Sequence, residues 1–265
     1  MGEPARRRAG IDLARSRILI CNDDGVNAPG IKLLARVANR LSRDVWVVAP
    51  EQEQSGASHS LTLQRPLRVR KLGPRRFAVD GTPTDCVLLA LNAVLADKRP
   101  DLLLSGINAG GNMGEDVTYS GTIAAAMEAT LLGVKAIALS QHVADDGPPR
   151  WATAEALAPK VLRRLAQLAW PRHSFFNVNF PDVPPEQVVG IAAAAQGGRK
   201  IGDHLLERLD PRGRPYYWIG PQRDEKRTHA GSDIRAVGEG KIAITPIFLN
   251  LTNRKALSAL KKALA

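Results

Sequence analysis

The chain has 265 residues, of which 44% are hydrophobic and only 5% aromatic, and its formal net charge is +11. Such a length and composition fit a globular fold whose core needs no disulfide staples, and they exclude wholesale disorder. The positive charge favours anionic partners such as nucleotides or polyphosphate, whereas the scarcity of aromatic residues argues against a stacking platform for single-stranded nucleic acid. The arginines are scattered along the chain, so simple surface solvation is the alternative to a binding role.

Residues 1–16 are basic and precede the first apolar segment. They lack the apolar core of a secretory signal, and no run of about 18 uncharged apolar residues occurs in the chain. We therefore expect a disordered N-terminal extension, a cytoplasmic location and no membrane partner. The two cysteines, Cys21 and Cys86, lie in apolar runs without a CxxC motif, which favours two buried thiols in a reducing compartment.

The first predicted element is a buried strand at residues 17–21, followed by a polar turn and an amphipathic helix at residues 31–42. A second strand at residues 45–48 completes a βαβ unit, which implies a right-handed crossover and a parallel sheet. Short alternating segments then predict a hairpin-rich insertion at residues 61–63, 67–70 and 77–79.

The rest of the chain alternates between helices and strands, as is typical of an open α/β sheet. Helices are predicted at residues 81–96, 122–132, 151–168 and 257–264. Strands are predicted at residues 101–104, 136–139, 175–180, 188–195 and 241–248. A glycine-rich loop fills residues 105–121, and residues 210–220 predict an extended hairpin arm. Because no repeat or linker divides the chain, residues 17–265 are expected to form one domain with an appended arm.

Two adjacent carboxylates, Asp23 and Asp24, follow the first predicted strand, and Gly25 allows a tight turn after them. In open α/β sheets, ligands bind beyond the carboxyl ends of the strands. Two acids placed there repel each other and lose hydration, and a hard divalent cation would offset that cost. The alternative is a turn in which an aspartate caps a helix. The pair thus predicts a cation site but does not name a reaction.

The glycine-rich loop enters its helix at Ser120, Gly121 and Thr122. Its spacing matches neither a dinucleotide fingerprint nor a P-loop. A helix N-terminus nevertheless favours an anion, and the neutral side chains of Asn108 and Asn112 could ligate a cation or hydrogen-bond a phosphate. Ordinary helix capping and left-handed turn geometry are the alternatives for these residues.

Five segments, in this order, resemble the SurE family of survival proteins, which are 5′-nucleotidases: ILICNDDGVNAPGI, VVAPEQEQSGASHSLTL, DGTPTDCV, DLLLSGINAGGNMGEDVTYSGTIAAAMEA and SDIRAVGEGKIAITPI. The resemblance covers most of residues 17–250. It implies a Rossmann-like three-layer α/β/α sandwich with a mostly parallel sheet and a protruding C-terminal β-hairpin arm. It also implies a homodimer or homotetramer formed by arm exchange. The implied cofactor is one divalent cation per subunit, Mn²⁺ or Mg²⁺, with the ligands Asp23, Asp24, Ser55 and Asn108.

These features together predict a metal-dependent phosphatase that hydrolyses nucleoside 5′-monophosphates, with 3′-nucleotides and polyphosphate as further expected substrates. Asp23 and Asp24 are the expected catalytic residues, and Asp23 is expected to orient the attacking water. The expected phosphate-binding residues are Asn112, Ser120, Gly121 and Thr122. His59 is the candidate proton donor to the leaving oxygen, and the alternative is a histidine in a surface turn.

Three other functions stay open at this level. A phosphatase of the haloacid dehalogenase type would need a D-x-D motif, but Gly25 occupies the position of its second acid. A non-catalytic nucleotide sensor would bind AMP tightly without metal-dependent turnover. An RNA- or polyphosphate-binding protein would show a steep salt dependence of binding and little dependence on Asp23.

Overall fold

The computed structural model describes residues 10–144, 147–198, 205–219 and 229–265. The strands in these residues are β1 (Arg17–Cys21), β2 (Asp44–Pro50), β3 (Val69–Gly73), β4 (Arg76–Val79), β5 (Leu102–Ala109), β6 (Lys135–Gln141), β7 (Ser174–Phe180), β8 (Gly190–Ala193), β9 (Leu205–Leu209), β10 (Pro215–Ile219) and β11 (Lys241–Phe248). The α-helices are α1 (Pro29–Asn39), α2 (Pro83–Leu89), α3 (Gly121–Leu131), α4 (Trp151–Ala166), α5 (Asp233–Gly238) and α6 (Arg254–Ala263).

The main sheet has nine strands in the order β3-β4-β2-β1-β5-β6-β7-β11-β8. Every neighbouring pair from β4 across to β7 is parallel, whereas β3 is antiparallel to β4 and β11 is antiparallel to β7. The chain leaves β1 for β2 on one side and later places β5 on the other side of β1. This reversal of strand order opens a crevice beyond the carboxyl ends of β1 and β5.

Two apolar layers cover the two faces of the sheet, because alternate residues of a strand point to opposite faces. Ile18 and Ile20 of β1 pack with α1 and α4 on one face. Leu19 and Cys21 pack with α2 and α3 on the other face, where Cys86 is also buried. Burial raises the pKa of the Cys86 thiol above its ordinary value. The predicted three-layer α/β/α sandwich with a mostly parallel sheet is confirmed.

Some predicted boundaries differ from the structure for identifiable reasons. β5 continues into the predicted glycine-rich loop, because Asn108 and Ala109 pair with the end of β6. No strand forms at residues 61–63, and the predicted strand at residues 67–70 is displaced to β3. Helix α5 was not predicted, since six residues are too few to show a helical period.

Residues 10–16 do not continue the predicted disordered extension. They contain a short 3₁₀ helix, Leu13–Arg15, which the Asp12 side chain caps. Leu13 is buried in the core beside α4, and the Ile11 N–H donates to the Ala166 carbonyl at 2.6 Å. The packed part of the chain therefore begins before residue 17, while residues 1–9 of the predicted extension lie outside the described residues.

The C-terminal third carries the predicted hairpin arm. β9 and β10 pair antiparallel, and every residue of both strands is exposed. Residues 210–219 of the predicted arm form its turn and β10, and Gly220 lies outside the described residues. Every residue of α6 is also exposed. Over the described ranges, each helix is too short or too polar to span a bilayer.

Candidate active site

The turn after β1 carries Asp23 and Asp24 to the crevice between β1 and β5. The Asn22 side-chain amide donates to the Gly25 carbonyl at 3.0 Å, and Gly25 takes a φ of +97°, a left-handed conformation that favours glycine. On the opposite side of the turn, the Gln54 N–H donates to the Asp23 carbonyl at 2.8 Å. The backbone bearing the two carboxylates is thus fixed from both sides.

The Asp23 carboxylate lies against the N-terminus of α3 and is only 4% exposed. The Thr122 hydroxyl donates to its Oδ1 atom, and the N–H groups of Gly121 and Thr122 also face it. A Cβ at Gly121 would lie 2.7 Å from the Asp23 Cβ, so glycine is required for this approach. Burial raises the pKa of Asp23, and these hydrogen bonds counteract part of that effect by favouring the ionised form.

The environment of Asp24 also perturbs its carboxylate. Burial, followed by the negative charges of Asp23 and Glu53, raises its pKa from 3.8 to about 7, against which the Ala109 N–H has a smaller lowering effect. The arginine and lysine ion pairs found within the described ranges involve other carboxylates. The two aspartates therefore form a concentrated negative charge that the described basic side chains do not neutralise.

The other two predicted metal ligands lie on segments that contact the aspartates. Asn108 precedes Ala109, whose N–H faces Asp24, and Ser55 follows Gln54, whose N–H holds the Asp23 carbonyl. The Asn108 side-chain nitrogen donates to the Gly110 carbonyl at 2.9 Å, which leaves the amide oxygen as the possible metal ligand. The Ser55 hydroxyl donates to Glu53 at 2.9 Å.

This set of donor atoms fits a hard divalent cation. In the part of the chain that the structure describes, no group of three His, Cys, Asp or Glu side chains could hold a metal ion. A cation at the crevice would therefore depend on the two carboxylates together with neutral oxygen atoms. Oxygen-only ligation suits Mg²⁺ or Mn²⁺ and not the softer metals that prefer sulfur or nitrogen.

The predicted phosphate-binding residues have contacts of their own within the protein. The Ser120 hydroxyl accepts the Ile123 N–H at 3.1 Å and so caps α3, which is the capping role that the sequence left open. Thr122 is completely buried and its hydroxyl holds Asp23. Because the N–H groups of Gly121 and Thr122 face Asp23, the helix dipole is what this helix end offers to an anion, and the predicted phosphate contacts stay predictions.

Asn112 is built into a buried network of polar side chains. Its side-chain amide donates to the Ser140 hydroxyl at 2.8 Å, and its own N–H donates to the Asn179 side-chain oxygen at 2.8 Å. The amides of Asn177 and Asn179 both donate to its carbonyl. The bond to Ser140 uses one of the two N–H donors of the Asn112 side chain, and its predicted contact with phosphate stays a prediction.

His59 makes a contact that the sequence reasoning missed. Its Nε2 lies 2.8 Å from the Glu128 Oε2 atom, and the two side chains are 27% and 11% exposed. Glu128 lies on α3, among residues that are otherwise small or apolar. A single acidic residue in a helix of otherwise small or apolar residues was the feature of the sequence that could have indicated such a contact.

A cavity of about 710 Å³ opens beside this pair. Its apolar wall includes Val117, Ala124, Met127 and Ile247. Ser120 and His59 also line it. The aspartates are not among the residues that line the cavity, but Ser120 at its edge is followed directly by Gly121 and Thr122, which contact Asp23.

Comparisons with known proteins identify the family of the chain. Residues 18–203 match the family model described as survival protein SurE. The chain is 60% identical over 252 residues to a protein of Paramagnetospirillum magneticum named 5′-nucleotidase SurE, an alignment that covers 95% of this chain and 97% of that protein. A protein of the same name from Parvibaculum lavamentivorans is 53% identical, with 94% and 91% covered. The crystal structure of the SurE protein from Aquifex aeolicus superposes with a TM-score of 0.82 at 38% identity, over 94% of this chain and 100% of that one.

Proposed function

The chain belongs to the SurE family, and from this premise we propose that it is a divalent-metal-dependent 5′-nucleotidase. It would hydrolyse nucleoside 5′-monophosphates to nucleosides and phosphate. The names of its relatives support the nucleotidase activity, because the alignments span more than nine-tenths of each chain. One observation carries the metal dependence: buried Asp23 and partly buried Asp24 lie side by side at the edge of the sheet, and the ion pairs of the described basic side chains involve other carboxylates.

In this proposal, Asp23, Asp24, Ser55 and Asn108 hold the cation. When bound, a divalent cation supplies Lewis-acid stabilisation of the charge that develops on the phosphoryl group. Asp23 is fixed by the Thr122 hydroxyl and the end of α3, so it can orient a water for in-line attack. The first N–H groups of α3 hold Asp23, and the dipole of this helix adds a positive potential that favours the phosphate.

The proposal is tested by replacing Asp23 with asparagine and measuring phosphate release from AMP and GMP with Mn²⁺ present. We expect turnover to fall by about a hundredfold or more, which is the usual scale for losing a group that handles a proton in the transition state. Asp97→Asn is the matched control, since Asp97 is 79% exposed and its contact lies at Arg17. Near-wild-type turnover in Asp23→Asn would overturn the proposed site.

The same measurements separate the alternative functions. A nucleotide sensor would bind AMP without releasing phosphate, and an enzyme of the haloacid dehalogenase type would form an aspartyl-phosphate intermediate. Binding of RNA or polyphosphate would fall steeply with salt and would be unaffected by Asp23→Asn. Hydrolysis of 3′-nucleotides and polyphosphate belongs to the same screen, run with and without a chelator.

The proposal includes a homodimer or homotetramer in which the hairpin arm is exchanged between subunits. The arm leaves large apolar side chains in water, among them Trp218 at 63% and Ile219 at 72% exposure. Apolar surface of this kind commonly marks a subunit interface. Light scattering on the purified protein should therefore give a mass of at least two chains, and Trp218→Glu should lower it. A monomeric wild type would refute arm exchange.

A further inference from the structure

The pair formed by His59 and Glu128 plays no part in the mechanism proposed above. Glu128 is a nearly buried acid on α3, and its carboxylate is 2.8 Å from the His59 ring. The segment carrying His59 is itself anchored, because the Ser58 N–H donates to the Tyr119 carbonyl at 3.2 Å and its hydroxyl donates to the Thr118 carbonyl at 2.8 Å. The ring is therefore held in one place from both its backbone and its tip.

The location of the pair along α3 matters for its role. Glu128 lies seven positions after Gly121, the helix residue that touches Asp23. Seven residues of α-helix span about 10 Å. Proton transfer to the phosphoester oxygen would need His59 within about 3 Å of an atom bound to the phosphorus. Glu128 instead holds the ring two turns along α3 from Gly121, where the ring lines the cavity that also contacts Ser120 and Met127.

The contact with Glu128 also decides what the ring can offer to a ligand. An ionised carboxylate only accepts hydrogen bonds, so the His59 Nε2 carries the proton that Glu128 accepts. In the neutral imidazole, the other nitrogen, Nδ1, then has an unshared electron pair and accepts a hydrogen bond. His59 is thereby set to recognise an O–H or N–H group.

The cavity beside the pair has the size and character of a small-molecule site. Its volume of about 710 Å³ lies within the range typical of ligand pockets. Apolar side chains such as Ala124, Met127 and Ile247 would pack against a planar base or a sugar ring, and Ser120 marks the end nearest to Asp23.

We propose that this cavity is the nucleoside subsite and that His59, oriented by Glu128, accepts a hydrogen bond from an O–H or N–H group of the nucleoside. The inference rests on the proposed nucleotidase function and deepens it. His59 is then a binding residue that sets specificity, and Glu128 is a positioning residue that acts through His59. This assignment differs from the expectation that His59 protonates the leaving oxygen.

The first test compares AMP with p-nitrophenyl phosphate, whose leaving group carries no O–H or N–H donor. For His59→Ala we expect the KM for AMP to rise about fivefold, which corresponds to one hydrogen bond, with kcat nearly unchanged. The kinetics with p-nitrophenyl phosphate should not change. Glu128→Ala should reproduce this pattern, whereas Glu128→Gln should retain most of the wild-type KM because its amide oxygen still accepts from Nε2.

The matched control is His173→Asn, compared with His59→Asn. His173 is exposed and precedes β7, at the edge of the sheet opposite the crevice, and its φ of 56° is one that asparagine tolerates. We expect normal kinetics with both substrates for this control.

Substrate analogues identify the group that His59 recognises. If the donor is the ribose 2′-hydroxyl, the wild type should prefer AMP over dAMP, and His59→Ala should lose this preference. If the donor is the amino group of the base, the lost preference should instead be that for AMP over IMP. If the donor is the ribose 3′-hydroxyl, the lost preference should be that for AMP over 3′-dAMP. Retention of all three preferences in His59→Ala would overturn the proposal.

Two further outcomes distinguish this inference from the proposed function. A parallel fall of kcat for AMP and p-nitrophenyl phosphate in His59→Ala would place His59 at the phosphoryl group and refute the nucleoside subsite. Adenosine binding measured by calorimetry needs no turnover, and weakening by His59→Ala would support the subsite even in a protein that hydrolysed neither substrate. Absence of hydrolysis in the wild type would overturn the proposed nucleotidase function itself.

Discussion

Replacing Asp24 with asparagine should stabilise the metal-free protein at alkaline pH, although it removes a predicted metal ligand. The pKa of Asp24 rises from 3.8 to about 7 because the carboxylate is buried and faces the charges of Asp23 and Glu53. Between about pH 4 and pH 7, the folded protein therefore keeps the Asp24 carboxyl protonated, whereas the unfolded chain has already released this proton. The contribution of Asp24 to stability is fully present below about pH 4 and is lost as the pH rises through about 7.

The size of the Asp24 pKa shift determines the expected change in the free energy of unfolding. Three pKa units correspond to about 4 kcal/mol as a ceiling, at about 1.4 kcal/mol per unit. Solvent screening of the partly exposed carboxylate reduces this to about 2 kcal/mol. Asp24→Asn keeps the shape but has no charge to lose, so the variant should exceed the wild type by that amount at pH 8 and match it near pH 4.

The assay is urea unfolding followed by tryptophan fluorescence, with a chelator present, at several pH values between 4 and 8. Asp97→Asn, which removes an exposed charge, serves as the control and should show no such pH-dependent gain. Adding Mn²⁺ should make the wild type the more stable of the two proteins at pH 8. A ligand present at a hundred times its Kd stabilises the protein that binds it by about 2.7 kcal/mol, and Asp24→Asn lacks a predicted ligand for the ion. An Asp24→Asn variant that is no more stable than the wild type at pH 8 would refute the reasoning from buried repulsion.

Three further substitutions test how the site is supported. Gly30→Ala should lower the free energy of unfolding by about 3 kcal/mol in urea titrations, because a Cβ there would lie 1.9 Å from the Ile107 carbonyl oxygen and force α1 away from β5. Thr82→Ala removes the capping box of α2 and should cost about 1 kcal/mol, seen as a fall in Tm of about 2–4 °C. Thr122→Val keeps the shape but removes the donor to Asp23, so it should destabilise the protein by about 1.5–3 kcal/mol, and Thr122→Ser should restore most of that loss. Wild-type stability in any of these variants would contradict the contact on which its prediction rests.

Elements with a strong local pattern were well predicted. The predicted strand at residues 17–21 coincides with β1, because its apolar run ends abruptly at a polar turn. α1 begins two residues earlier than predicted, since Pro29 suits the first turn of a helix. The same local reasoning placed Asp23 and Asp24 at the carboxyl edge of the sheet, where the structure has them.

Contacts between distant parts of the chain could not be predicted in this way. The bond between Thr122 and Asp23 joins residues 99 positions apart, and that between His59 and Glu128 spans 69 positions. Periodicity and turn residues report on neighbours along the chain, whereas these partners meet only when the sheet assembles. The sequence thus predicted which residues would carry the chemistry, but it did not predict which side chains hold them in place.

The reversal of strand order between β1 and β5 means that the crevice depends on the fold topology, whereas the side chains that line it can vary. The crevice results from the order of the strands in the sheet, and the two apolar layers on the faces of the sheet form the core that supports it. Residues such as Ser55 and His59 lie in the segment between β2 and β3, outside those layers. With His59 in its proposed role, substitutions at this position would change which nucleoside is accepted while the folding core stays intact, so new substrate preferences could be acquired on an inherited framework.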